Sequence, residues 1–276
     1  MLQGIDSLNP FIAYEDSSYV TLFNIYDRLI TYDEDLNPKP LIATSWEVDD
    51  WNDADDAATT DINEGANRLW RYHIAENVKW HDGEPLTVND VVYSINVNLN
   101  ESMWAFTPYI SIRTALYATS IDATTVEVYL KIPNVHVENL MLPIVPEHIW
   151  SQYTVGEIQN SVVNDHPIGS GPFRFVEYAP NQYVILDRNP DYHLGPVAYD
   201  RVVFQFYGSD QVMAMDLRNG NLDLARFPPL TYNSLKGQPD IETAEVKRFY
   251  HSTIGFNCFD DPASKGNPLM LDENIR

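Results

Sequence analysis

The chain has 276 residues, 44% apolar and 12% aromatic, which is ample for a packed core and excludes global disorder. Seventeen basic residues against 40 acidic ones leave a net charge of −23. That excludes the basic surface nucleic-acid binding needs and opposes docking on anionic lipid. The single cysteine, Cys258, excludes an internal disulfide and reads as a small buried apolar residue; no run is apolar enough to span a bilayer.

Met1-Leu2-Gln3-Gly4 leads straight into globular sequence, so either the protein is cytosolic or an export signal has been removed. Asn9-Pro10 marks a turn, and Asp16-Ser17-Ser18 predicts a cap for a helix from Tyr19 to Ile30, with Leu22, Tyr26 and Leu29 on one face. Asp33 to Pro40 is a turn-rich link, and Leu41 to Val48 leads towards a strand. Asp49 to Asn67 breaks the pattern with seven acids and reads as a solvated loop. A calcium site is the sharper alternative, but the spacing does not fit an EF-hand loop.

Trp70 to Leu99 is the most informative stretch. Tyr72, Ile74, Val78 and Trp80 predict a strand pair, and His81-Asp82-Gly83-Glu84-Pro85 a tight turn. Thr87 and Asp90 have capping-box spacing, with Val91, Ile95 and Leu99 on one helical face. Glu101 to Thr119 reads as loosely helical, and Val126 to Ile132 alternates as a half-buried strand. Pro146 fits the first turn of a helix through Trp150. After the break at Pro167–Pro172, strands are expected at Phe173–Tyr178, Tyr183–Arg188 and around Val202, Phe204 and Phe206. Ser209 or Asp210 caps a helix that Gly220 ends, and Leu222 to Ala225 reads as a short buried strand. Gly255-Phe256-Asn257 closes a last strand, and Leu271 to Arg276 resembles the approach to another helix. Interleaved strands and helices without an internal repeat give an α/β or mixed α+β class.

Motifs for metal, phosphate or nucleophilic chemistry are missing: there is no H-E-x-x-H, C-x-x-C, G-x-S-x-G or Walker A pattern. Gly169-Ser170-Gly171 is followed by Pro172, which denies it a helix start with free amides, so it reads as a tight bend against another segment. His81-Asp82 reads as a polar turn, since adjacent turn residues rarely face one another as an acid/base pair. Forty acids guarantee carboxylate pairs, so a glycosidase-like pair is neither located nor dismissed. Aromatic side chains such as Tyr14, Trp104 and Phe227 read first as core.

Several stretches, in order, resemble one family. Leu8-Asn9-Pro10, Tyr26-Asp27-Arg28-Leu29 and Pro40-Leu41-Ile42-Ala43-Thr44-Ser45-Trp46 are similar to its opening. Val78-Lys79-Trp80-His81-Asp82-Gly83 with Pro85-Leu86-Thr87-Val88-Asn89-Asp90-Val91 resembles its V-K-F-H-D-G turn and P-L-T-A-x-D-V helix start. Pro167 to Phe173, Arg188-Asn189-Pro190-Asp191-Tyr192 and Gly220-Asn221-Leu222-Asp223 resemble its P-x-G-T-G-P-Y, R-N-P-D-Y-W and G-x-x-D elements. Phe256-Asn257 and Asp272 to Arg276 resemble F-N and D-x-x-V-R. The family is that of the extracellular solute-binding proteins of ABC importers, family 5, which bind peptides or nickel. Ser170 replaces the usual Thr, His193 stands where Trp is common, Ala75 where Arg or Lys is, and the acidic loop 49–67 is an insertion.

The resemblance implies a type II periplasmic-binding-protein-like lobe with an additional family-specific domain, the second lobe lying beyond Arg276. The first lobe is expected to take residues 1–45 and 168–276, and the additional domain residues 46–167. It implies a non-enzymatic protein without cofactor or metal, a monomer at the outer face of the membrane or in the periplasm, as a lipoprotein or free. Its partners would be a peptide or similar solute and an ABC permease. Ligand contacts are expected from Tyr14, Glu15, Asp16 and Ser17, from Gly169, Ser170 and Gly171, and from His251 and Asn257. A ligand-sensing domain of the same fold and a carboxylate glycoside hydrolase are the rival expectations.

Overall fold

The computed structural model describes residues 1, 4–51, 68–103, 109–134, 142–160 and 166–245. Met1–Thr243 form one compact unit and Ala244–Arg276 a second. In chain order the elements are α1 (Asp16–Ile25), β1 (Ile30–Tyr32), β2 (Pro38–Pro40), β3 (Ala43–Asp49), β4 (Leu69–Ile74) and α2 (Val88–Leu99). There follow β5 (Ala115–Ser120), β6 (Thr125–Leu130), α3 (Glu147–Trp150), α4 (Val155–Asn160), β7 (Phe173–Ala179), β8 (Tyr183–Arg188), β9 (Arg201–Gln205), α5 (Asp210–Arg218) and α6 (Pro229–Leu235).

Alternation builds the largest sheet, ordered β3-β4-β6-β5. Trp70, Tyr72 and Ile74 of β4 point to one face with Val126, Val128 and Leu130 of β6, and all are buried. Antiparallel register sets Trp70 opposite Val128 and Tyr72 opposite Val126. Helix α2 brings Val91 and Ile95 into the same apolar cluster, with Leu29, Ile30 and Ile42. The opposite face carries a polar row, Glu47–Arg71–Glu127, one residue from each of three adjacent strands.

A second sheet, β7-β8-β9, buries Phe173, Val184 and Leu186 beneath Leu22, Ile25 and Tyr26. Helix α2 joins the two clusters, because Tyr93 and Val97 on its other side pack against the second. Its capping box is present, with Thr87 N–H donating to Asp90 Oδ2 at 2.7 Å. The other oxygen, Oδ1, accepts from Glu147 N–H at 2.8 Å, so one buried carboxylate starts both α2 and α3.

Four local expectations are corrected. Helix α1 begins at Asp16 and ends at Ile25, since an anchor outside it sets its start. Val78 and Trp80 do not pair with β4, which β3 and β6 already flank; their segment closes on itself through Leu86 N–H to Val78 O and Trp80 N–H to Glu84 O. Glu101 to Thr119 holds two short 3-10 turns and then strand β5 rather than a loose helix. Leu222 to Ala225 is not a strand, and Leu224 stands 89% exposed. The expected last strand and the terminal Leu271–Arg276 lie outside the described residues.

Candidate functional site

Asp6 builds the approach to α1. Its Oδ2 accepts from Tyr14 N–H at 2.9 Å and its Oδ1 from Glu15 N–H at 3.2 Å. The Ser18 hydroxyl donates to the same carboxylate and accepts from Asp6 N–H at 3.0 Å. The loop is therefore closed on itself, and it turns the Tyr14 side chain outwards, 77% exposed. Asp16 is exposed and Glu15 half-buried. Ser17 faces inwards, its hydroxyl donating to Gly4 O at 2.7 Å. One turn on, burial and then the Asp6 carboxylate push the Tyr19 phenol up to about 12, so it stays protonated.

Arg226 reaches this rim from the loop after α5. Its Nη2 donates to Asp16 Oδ2 at 2.7 Å, and the two side chains are 65% and 59% exposed. Arg226 was missed by sequence reasoning. The run Leu222–Ala225 reads as a buried strand, which hides an exposed arginine after it, and Asp16 is 210 residues away.

Gly169, Ser170 and Gly171 lie at the other end of α1. Gly171 N–H donates to Ile25 O at 2.8 Å. A Cβ on Gly169 would stand 1.9 Å from Ile25 O, and one on Gly171 2.7 Å, so this close approach demands glycine. The helix rise puts this loop about 14 Å from Asp16, so the two predicted groups are not brought together. His81 clamps the loop from outside: its amide donates to Gly169 O at 2.8 Å, Gly169 N–H donates to Nδ1 at 3.2 Å, and Nε2 meets Gly171 O at 3.0 Å. Asp82 turns away, towards His148 Nε2 at 2.9 Å, so the neighbouring His81 and Asp82 do not face one another.

Beneath the loop lies a buried polar node. Asp27 takes His193 Nε2 at 3.1 Å, Tyr192 OH at 3.3 Å and Ser170 Oγ at 3.4 Å. Burial and then the Asp27 charge push the Tyr192 phenol well above its ordinary range, which keeps it a donor. Each of these polar groups has a protein partner, so the node joins the end of α1, the glycine loop and the segment after β8. His251 and Asn257 lie outside the described residues, as does the acidic loop beyond Trp51. Among the described residues no group of three or more His, Cys, Asp or Glu side chains is placed to hold a metal ion, and no helix is long and apolar enough to cross a membrane.

Comparison with known proteins places this architecture. The model of the bacterial extracellular solute-binding proteins, family 5, matches residues 37–276. The oligopeptide-binding protein AppA of Bacillus subtilis is 25% identical over 277 residues, 97% of this chain and 46% of AppA. Its structure in complex with a nonapeptide superposes with a TM-score of 0.70, covering 82% of this chain and 42% of that one. The ABC transporter substrate-binding protein CtaP of Listeria monocytogenes, 27% identical, gives 0.69 over 85% of this chain and 45% of its own. NikZ of Campylobacter jejuni, solved with Ni(L-His), shares the fold at 21% identity and a TM-score of 0.66, over 81% of this chain and 41% of NikZ. The chain thus spans about half the length of the curated relatives it matches. With its family model matching residues 37–276, most of its length, the chain belongs to the bacterial extracellular solute-binding proteins, family 5.

Proposed function

We propose that this chain is the first lobe of a two-lobed clamp that captures a peptide or similar small solute and presents it to an ABC permease. The match of the family model over residues 37–276, in a chain half as long as its relatives, carries the reading. The ligand is held by lobe closure, and no bond in it is made or broken. The protein works outside the cytoplasmic membrane, free in a periplasm or held as a lipoprotein.

Within the lobe, residues 1–45 and 168–276 form the first domain and residues 46–167 the additional one. The two sheets fall on either side of this division, β3-β4-β6-β5 almost wholly in the additional domain and β7-β8-β9 in the first, while the apolar clusters cross it: Leu29, Ile30 and Ile42 join the one, and Met103, Val145 and Trp150 the other. Tyr14, Glu15 and Asp16 supply direct contacts, because the Asp6 anchor holds them at the surface. Ser17 and the Gly169-Ser170-Gly171 loop set the two ends of the rim, and His251 and Asn257 add contacts. A peptide held this way is read through its main chain and its end charges.

Calorimetry with a pooled library of short peptides tests the reading on the 276-residue chain and on the full-length gene product. Tight binding is expected of the full-length protein alone, with peptides recovered unaltered by mass spectrometry. Equal tight affinity of both refutes the single-lobe reading, and cleaved peptides refute the binding-only role.

A further inference from the structure

We infer that Arg226 is a specificity residue that receives a ligand carboxylate, with Asp16 occupying its guanidinium until the ligand arrives. The inference rests on the solute-binding reading above and names one chemical group the ligand must carry.

Three observations converge on it. Arg226 is a cation at the rim formed by Tyr14, Glu15 and Asp16, in a chain whose net charge is −23. That overall field repels anions, so an anionic group is accepted only where a local cation outweighs it. The bond to Asp16 uses a single N–H on Nη2; among the described residues Nη1 and Nε hold no hydrogen-bond partner. Arginine presents its donors as a planar fork that matches a carboxylate with two parallel bonds, so the unused edge is a preformed half of that contact.

The Asp16 bond is easily exchanged. Both partners are more than half exposed, and ion pairs of this kind contribute little in water. Lobe closure would remove that water and strengthen the incoming pair. Apolar side chains near the pair are open to a ligand: Leu224, two residues before Arg226, and Tyr14, two before Asp16, are 89% and 77% exposed. A cation with an unused guanidinium edge, a displaceable acid and exposed apolar side chains close to both in sequence match a peptide end better than a neutral sugar.

The test compares a pooled library of tri- to pentapeptides with free C-termini against the same library amidated, by calorimetry on the full-length protein. The free acids are expected to bind about tenfold tighter, the scale of one charge-assisted contact. Arg226→Ala should erase that preference, so that acid and amide bind within about twofold of each other. Asp16→Asn, by releasing the guanidinium, should widen the ratio of free-acid to amide affinity. Equal binding of acid and amide by the unsubstituted protein overturns the inference and leaves the peptide reading standing. So does a preference that survives in Arg226→Ala. Failure of both libraries to bind overturns the peptide reading and this inference together.

Discussion

His81 and Gly169 hold each other twice: the His81 amide donates to Gly169 O at 2.8 Å, and the Gly169 amide donates to His81 Nδ1 at 3.2 Å. With Nδ1 accepting, the ring hydrogen sits on Nε2 and points at Gly171 O, 3.0 Å away. The contact therefore needs a neutral imidazole, and a second proton on Nδ1 has nowhere to go.

That geometry predicts an acid-sensitive joint. Burial pulls the His81 pKa down to about 4, against about 6.5 for the unfolded chain. Between those values the unfolded state binds more protons, so stability rises with pH across the window. The contribution is complete above pH ~6.5 and lost as pH falls towards ~4, amounting to at most about 3 kcal/mol. Urea unfolding at steps across this range should show His81→Gln less stable at neutral pH and flatter below it. Parallel pH profiles for the two proteins would sink the idea.

Glycine is required at two positions here for different reasons. Gly169 has no room, since a Cβ would sit 1.9 Å from Ile25 O, while Gly83 has room but a φ of +97°. Gly169→Ala must separate the loop from the end of α1, and a loss of about 4 kcal/mol or more is expected. Gly83→Ala meets only backbone strain, about 1–2 kcal/mol. Thermal unfolding of both variants should rank them in that order, and equal losses would mean the loop moves aside freely.

The elements with one buried face were legible in the sequence, because burial imposes its own period. Val126, Val128 and Leu130 alternate because one face of β6 is core, and Thr87 and Asp90 announce α2 because both halves of the cap lie within four residues. What was misread depends on distant partners. Asp16-Ser17-Ser18 looked like a cap, but the working carboxylate is Asp6, whose bonds to Tyr14 and Glu15 cross eight and nine residues. His81 looked like half of a polar turn, because its partner amide lies 88 residues on. Leu222 and Leu224 alternate as a strand would, yet among the described residues no strand takes the pairing. The joint at Asp27 was invisible for the same reason, although Asp27, Ser170 and Tyr192 fall in three of the stretches that carry the family resemblance.

The polar row on the outer sheet face separates a strong ion pair from a weak one on a single arginine. Arg71 donates to Glu127 Oε1 through Nε at 2.9 Å and Nη2 at 2.7 Å, and to Glu47 Oε1 through Nη1 at 2.7 Å. The Glu127 side chain is only 8% exposed, while Glu47 is half in water. Water competes for Glu47 but not for Glu127. A double-mutant cycle should give Arg71–Glu127 coupling of about 2 kcal/mol and Arg71–Glu47 coupling below about 1 kcal/mol. Arg71→Met should be among the more damaging surface changes, and adding Glu127→Gln should restore part of the loss. Equal couplings would show that burial of Glu127 does not matter.

His193 stands where the family commonly has Trp, and its pairing with Asp27 makes a further prediction. Asp27 is 2% exposed, and its oxygens are met by His193 from the Arg188–Tyr192 side, by Tyr192, and by Ser170 from the glycine loop. Removing the imidazole leaves a buried carboxylate with two hydroxyls about 3.3–3.4 Å away, too few and too distant to replace water. His193→Ala should therefore cost about 2–4 kcal/mol, more than the lost packing alone, because the carboxylate stays behind. Asp27→Asn in the same chain removes the stranded charge and should recover about half of that cost. The cycle is read by urea unfolding at neutral pH, with far-UV circular dichroism confirming that each variant folds. If the two substitutions simply add, Asp27 draws its support from the hydroxyls alone, and the histidine is there only to fill the space of an aromatic ring.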